Sequence, residues 1–179
     1  MRKIPVMAAA LLLAACASPD SRYFTLSTVA PAGMPAPDRP LFHLSVVKLA
    51  DLYDRPQMVT RTGPQSVEID EYARWAEPLE RMTARTLAQD IALRRPHGPG
   101  PLPGAADQPR LQVAVDEFVT DRASGRAKLS GNWKIVEASG AVHGAPFSYT
   151  EPVTSSDPAA TAAAMSALLG RLADEIDKN

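Results

Sequence analysis

Asp157-Pro158-Ala159-Ala160-Thr161-Ala162-Ala163-Ala164-Met165-Ser166-Ala167-Leu168-Leu169-Gly170-Arg171-Leu172-Ala173-Asp174-Glu175-Ile176 is the stretch on which the fold turns. Asp157 brings the short carboxylate of a good N-cap, and Pro158 the fixed φ and missing N–H that suit a first helical residue. Ala162, Met165, Leu168, Leu169, Leu172, Ala173 and Ile176 then recur at i, i+3, i+4 and i+7, one apolar stripe on an amphipathic helix. That stripe has to be covered, and the residues before it are strand-like. Leu129, Gly131, Trp133 and Ile135 alternate with Lys128, Ser130, Asn132 and Lys134. Leu111, Val113 and Val115 alternate with Gln112, Ala114 and Asp116. Joined through residues 120–125, which end in Ser124-Gly125, these runs predict a long hairpin, and residues 142–149 a further strand.

Moving toward the N-terminus, residues 79–95 hold no Gly or Pro until Pro96 stops them, with Pro78 placed as the first helical residue. Leu79, Met82, Leu87 and Ile91 keep only a rough helical spacing there. Met58-Val59-Thr60-Arg61 and Ser66-Val67-Glu68-Ile69-Asp70, separated by Thr62-Gly63-Pro64-Gln65, predict a hairpin. In Phe42-His43-Leu44-Ser45-Val46-Val47 the period of two turns Phe42, Leu44 and Val46 to one face. Arg22-Tyr23-Phe24-Thr25-Leu26 reads as a first strand. Strands apolar on one face with two helices to cover them predict an α+β fold: a two-layer sandwich, its sheet mostly antiparallel or mixed, covered by two α-helices.

The N-terminus is not part of that domain. Met1-Arg2-Lys3 is basic, residues 4–13 are apolar, and Ala14-Ala15 precede Cys16, the only cysteine of the 179 residues. The apolar run is well short of the ~20 residues a membrane-spanning helix needs, so it reads as an export signal. The arrangement resembles a bacterial lipobox, with residues 1–15 removed and the Cys16 sulfur acylated. The plainer alternative is a secreted protein keeping one free thiol. Residues 16–179 then form a single periplasmic domain, interrupted by proline-rich loops at 31–40 and 96–109. Ala17, not Asp, follows the cysteine; by resemblance to Gram-negative lipoprotein sorting this implies the outer membrane, with the domain on the periplasmic face.

Composition narrows the function classes. A net charge of -1 with 22% charged residues provides no basic surplus for nucleic acid. No Gly-x-Ser-x-Gly elbow and no phosphate-binding Gly-x-x-x-x-Gly-Lys loop occur. His43, His97 and His143 lack metal-ligand spacing. No enzyme, metal or cofactor is therefore expected beyond the covalent lipid on Cys16; a hydrolase would need one of Ser45, Ser66 or Ser130 brought beside a histidine. Asp51, Asp54, Glu68, Asp70, Glu71 and Glu77 are interleaved with Arg55, Arg61, Arg74 and Arg81, which predicts a surface ion-pair lattice.

Leu52-Tyr53-Asp54-Arg55-Pro56-Gln57-Met58-Val59-Thr60-Arg61, followed by Glu71-Tyr72-Ala73-Arg74-Trp75-Ala76-Glu77-Pro78-Leu79, is the most distinctive part of the chain. Pro56 fixes its own φ and holds Arg55 extended. Arg55 and Arg61 carry forks suited to carboxylate or phosphate, and either pair with Asp54, Asp70 or Glu71 or face a partner. Trp75 either caps the core where strand meets helix or anchors a partner.

This stretch resembles the ABC-type transport auxiliary lipoprotein family, the PqiC-like (YmbA-like) proteins. The likeness extends loosely to Tyr23-Phe24-x-Leu26, Trp133 and the C-terminal helix; Tyr53 stands where the family more often has Leu. The resemblance implies an auxiliary role in intermembrane lipid transport and in envelope integrity. It implies a permease and a periplasmic MCE-domain protein as partners, and self-association, with no chemistry of the chain's own needed. Arg55, Pro56, Arg61, Arg74 and Trp75 are the candidate partner or oligomer interface. The alternative is a lipoprotein that itself binds a lipid, which requires an enclosed apolar cavity of several hundred Å3.

Overall fold

A computed structural model describes residues 19–31, 43–95 and 109–178. Residues 1–15, read above as an export signal, Cys16, Phe42, His97 and most of the two proline-rich loops lie outside the described residues. Seven strands, β1 (Arg22–Phe24), β2 (His43–Leu49), β3 (Gln57–Gly63), β4 (Ser66–Trp75), β5 (Arg110–Asp121), β6 (Arg126–Val136) and β7 (Val142–Pro152), build one sheet. Two helices, α1 (Leu79–Arg94) and α2 (Pro158–Lys178), pack on it and on each other. The fold is α+β, as the patterning predicts.

The sheet runs β1-β4-β3-β5-β6-β7. β3–β4, β5–β6 and β6–β7 are antiparallel, whereas β1–β4, β2–β5 and β3–β5 are parallel. β5 is the long central strand. Its first half pairs with β2 and its last residues, Thr120 and Asp121, with Thr60 and Arg61 of β3 along the same side. β2 and β3 are thus two pieces of one strand line, and residues 50–56 are an excursion from it.

The face of β2 differs from the simple alternation. Val46 is exposed while Val47 and Leu49 are buried. The register skips Ser45 between Leu44↔Leu111 and Val46↔Gln112, a bulge that moves the next side chains to the opposite face. The Ser45 hydroxyl donates to the Leu111 carbonyl at 3.1 Å. A second bulge, at Asp116, keeps Phe118 on the inward side used by Leu111, Val113 and Val115.

In α2 the seven stripe residues are all buried, and Asp157 caps the helix by accepting the Ala159 N–H at 2.9 Å. In α1 the buried residues are Leu79, Met82, Thr83, Thr86, Leu87, Asp90, Ile91 and Arg94, a complete helical stripe. Its apolar spacing looks rough in the sequence because four of its eight members are polar. Pro78 precedes this helix at the N-cap position and is not its first residue. Gly131 of β6 fills the space left by its neighbours: a Cβ there would stand 2.0 Å from the Ala114 carbonyl oxygen. Glu175 of α2 accepts from the Trp133 indole at 2.9 Å and from the Tyr149 hydroxyl, tying the helix to β6 and β7.

The N-terminal segment after β1 is threaded between the helices. Ser27 N–H donates to Ser166 Oγ at 3.1 Å and Val29 N–H to Asp90 Oδ1 at 2.7 Å. Arg94, 2% exposed, lies beneath that segment. It donates to Asp174 Oδ1 at 2.7 Å, to the Asp90 carbonyl at 2.8 Å and to the Gly170 carbonyl at 2.8 Å.

Candidate docking cleft

Residues 50–56 leave the strand line in a tight turn, with the Tyr53 N–H on the Ala50 carbonyl and the Arg55 N–H on the Tyr53 carbonyl, both at 2.9 Å. Tyr53 is buried in a small cluster with Val59 and Val119, which fastens the loop to the sheet away from the main core. Its other fastening is to α1. Pro78 has no side chain to cap that helix, and Asp54 Oδ1 supplies the acceptor for the Glu80 N–H at 3.0 Å. Glu80 reaches back to the Leu49 N–H at 3.2 Å and to Lys48 Nζ at 3.1 Å. The end of β4 is drawn in by the Trp75 N–H on the Pro56 carbonyl at 2.6 Å.

These contacts leave an open cleft of about 470 Å3 lined by Asp54, Arg55, Pro56, Trp75, Ala76, Glu77 and Pro78. Trp75, 4% exposed, belongs to the core, as the core-capping reading expects, and also contributes to the cleft wall. Pro56 and Pro78 make rigid walls without N–H groups. Glu77 is held by Arg85 at 2.6 Å. Arg55 has its Nε buried without a hydrogen-bond partner. Arg55 thus lines the cleft together with the carboxylates of Asp54 and Glu77 and the apolar surfaces of Pro56, Trp75 and Pro78.

The other candidates fall elsewhere. Arg61 is not in the cleft; it pairs with Glu117 at 2.5 Å, and not with Asp54, Asp70 or Glu71. Arg74, in register with Gln57 of β3 and Tyr23 of β1, is outside the cleft lining. The predicted ion-pair lattice is replaced by separate roles. Glu68 pairs with Arg122 at 2.8 Å, and Asp70 accepts the Tyr72 and Ala73 N–H groups at 2.9 and 2.8 Å. The partners Glu117, Arg85 and Arg122 come from outside the motif, so local spacing could not reveal them.

Glu117 forms the most heavily bonded carboxylate of the sheet, with Arg61, Lys128 and Ser130. Burial pushes its pKa up, but the hydrogen bonds from Lys128, Arg61 and Ser130 outweigh that and bring it down to about 2. With the folded value below the ordinary 4.5, the unfolded chain binds the extra proton first. The stabilisation is complete above pH ~4.5 and fades toward pH ~2, at most about 3 kcal/mol. Thermal unfolding at pH 6 and pH 3 should show the loss, and Glu117→Gln should reduce the difference; an equal difference in the variant would refute this assignment.

Ser45 donates to a carbonyl, Ser66 shares a hydrogen bond with Thr62, and Ser130 donates to Glu117; none has a histidine partner in these bonds. Among the described residues no group of three His, Cys, Asp or Glu side chains is placed to hold a metal.

Residues 24–177 match the family of the ABC-type transport auxiliary lipoprotein component. The chain belongs to that family. The match makes it an auxiliary lipoprotein component of an ABC-type transport system, from a family of transport auxiliaries and not of enzymes. A solved uncharacterized protein is similar at 19% identity with a TM-score of 0.74, over 89% of this chain and 98% of its own. Protein XCC0632 from Xanthomonas campestris, of family DUF330, is similar at 21% identity with a TM-score of 0.65, over 87% of this chain and 92% of its own. These two likenesses establish a shared fold. Among curated proteins none matches. No helix among the described residues is long and apolar enough to cross a membrane.

Proposed function

We propose that this lipoprotein is the outer-membrane-anchored docking subunit of an MCE-type intermembrane lipid transport system, serving envelope integrity. Acylated Cys16 fixes its position, and the periplasm-facing domain receives the MCE-domain partner and self-associates. The observation that carries the reading is the family match over residues 24–177, opening close behind the lipobox cysteine. The cleft supports it locally. Among the described residues Arg55 has no ion-pair partner and its buried Nε has no hydrogen-bond partner; on this reading its guanidinium takes a partner carboxylate, with Pro56 and Trp75 as the apolar support beside it. Arg61 contributes, on this reading, from β3; Arg74 stands in register with Tyr23 and is not part of this contact.

A lipid carrier fits the geometry less well. Among the described residues the 470 Å3 cleft is open, and a more enclosed space between Tyr53, Phe118 and Met165 is about 10 Å3, at most one water's worth.

Arg55→Glu tests the proposal. Reversing an interface charge that lacks an internal partner is expected to cost about 2 kcal/mol of binding, roughly thirtyfold. Co-purification with the MCE-domain protein should fall accordingly while the melting temperature holds within a few degrees. Undiminished capture would remove the cleft from the contact surface.

A further inference from the structure

We infer that the edge of the sheet formed by β1 and the outer side of β4 is the face this domain lays against the bilayer. The inference depends on the proposed function at one point, acylation of Cys16.

The tether is short. Six residue steps separate Cys16 from Arg22, where β1 begins. At no more than ~3.6 Å per residue, they span about 20 Å. β1 is the outermost strand, with Arg22 in register with Ala73 of β4. β7, at the other end of the strand order, is five spacings away, roughly 24 Å at ~4.8 Å each. An anchor on this leash keeps the membrane on the β1 side of the domain.

Among the described residues, that side gathers four exposed large apolar side chains on two paired strands. Tyr23, Val67, Ile69 and Tyr72 all stand on β1 and β4, with Tyr23 66% exposed. The other exposed large apolar residues, Val46, Leu52, Leu93 and Val142, are spread singly over β2, the 50–56 loop, α1 and β7. Tyr72 adjoins the register partner of Arg22, and Val67 lies six positions up β4 from it, about 20 Å at most. All four side chains are therefore within the reach of the tether. Tyrosine suits a membrane interface because its ring enters the acyl boundary while its hydroxyl stays among headgroups. The charged groups here do not add up to a basic patch: β1 and β4 carry Arg22 and Arg74 against Glu68, Asp70 and Glu71, with Arg22 engaged by Asp157 at 3.2 Å and Glu68 by Arg122. Apolar contact, not charge, holds the edge down, so the matching surface is a zwitterionic bilayer.

The chain's single cysteine is consumed by the anchor, so an introduced cysteine is a unique thiol. Nitroxides at Ile69→Cys, Tyr72→Cys and, as a control in the exposed β6–β7 turn, Ser139→Cys are placed on the acylated full-length chain. The protein is reconstituted in phosphatidylethanolamine–phosphatidylcholine vesicles. The ratio of oxygen to nickel-chelate accessibility is expected to be at least threefold higher at 69 and 72 than at 139. Equal ratios at the three positions overturn the inference alone. Dipolar broadening between copies at 69 gives the edge to a second chain, and also overturns it. Mass spectrometry showing an unmodified Cys16 overturns the lipoprotein reading itself and this inference with it.

Discussion

Arg94→Ala is expected to destabilise the domain by about 3–5 kcal/mol. The guanidinium is 2% exposed and satisfied by Asp174, two helix carbonyls and the neighbourhood of Asp90, whose Oδ1 lies 4.0 Å away. Burial already pushes the Asp90 pKa up, opposed by the Val29 N–H and by Arg94. Without Arg94, Asp90 and the partly buried Asp174 face one another with no compensating charge, and the carbonyls of Asp90 and Gly170 lose a donor. The loss compares with a total stability of only ~5–15 kcal/mol for an ordinary domain. The melting temperature should fall by roughly 10–15 °C. Arg94→Lys should rescue little, because a single ammonium cannot reproduce the fork. Arg94→Met combined with Asp90→Asn should recover part of the loss by removing both buried charges. A melting temperature within 3 °C of wild type for Arg94→Ala would show that the ion cluster is not what holds the two helices and the 25–29 segment together.

Gly131→Ala should be nearly as damaging, for a different reason. Gly131 does not adopt a positive φ, so its role is space and not conformation. The added Cβ would meet the Ala114 carbonyl oxygen at 2.0 Å, its carbon at 3.0 Å and Phe147 Cζ at 3.0 Å. A phenyl ring can shift, but the carbonyl belongs to β5 one residue before the Val115 partner of Gly131. Relief requires moving the central strand, at a cost of about 3–5 kcal/mol. Gly125→Ala makes the comparison informative. Gly125 has φ +64° with nothing within 4 Å of its Cβ position, so it reports conformational strain alone, about 1–2 kcal/mol. Denaturant unfolding of both variants orders the two effects. A smaller cost at 131 than at 125 would refute the packing argument.

The strands of the C-terminal half were legible because their alternation is unbroken. Leu129, Gly131, Trp133 and Ile135 all turn inward, as do Leu111, Val113 and Val115. The face of β2 was misread because nothing in Leu44-Ser45-Val46 announces a bulge; only pairing with β5 reveals the skipped residue. The stripe of α1 was half hidden by Thr83, Thr86, Asp90 and Arg94, polar residues whose burial depends on partners far along the chain. The candidate site was partly legible. Arg55, Pro56 and Trp75 do converge, whereas Arg61 turns to Glu117, a residue the motif does not contain.

What can be written in local terms is legible in one dimension: the periodicities that make strands and helices, the Asp157-Pro158 helix start and the stretch that carries the family likeness. Each depends on neighbours within a few residues. Tertiary structure alone decided which charges meet, which face of β2 is inside and where a cleft opens. Those outcomes are set by residues tens of positions apart: Asp54 caps α1 across 26 positions, and Arg94 finds Asp174 across 80. Long-range pairing of this kind is fixed by packing the whole sheet and both helices at once, and no local spacing encodes it.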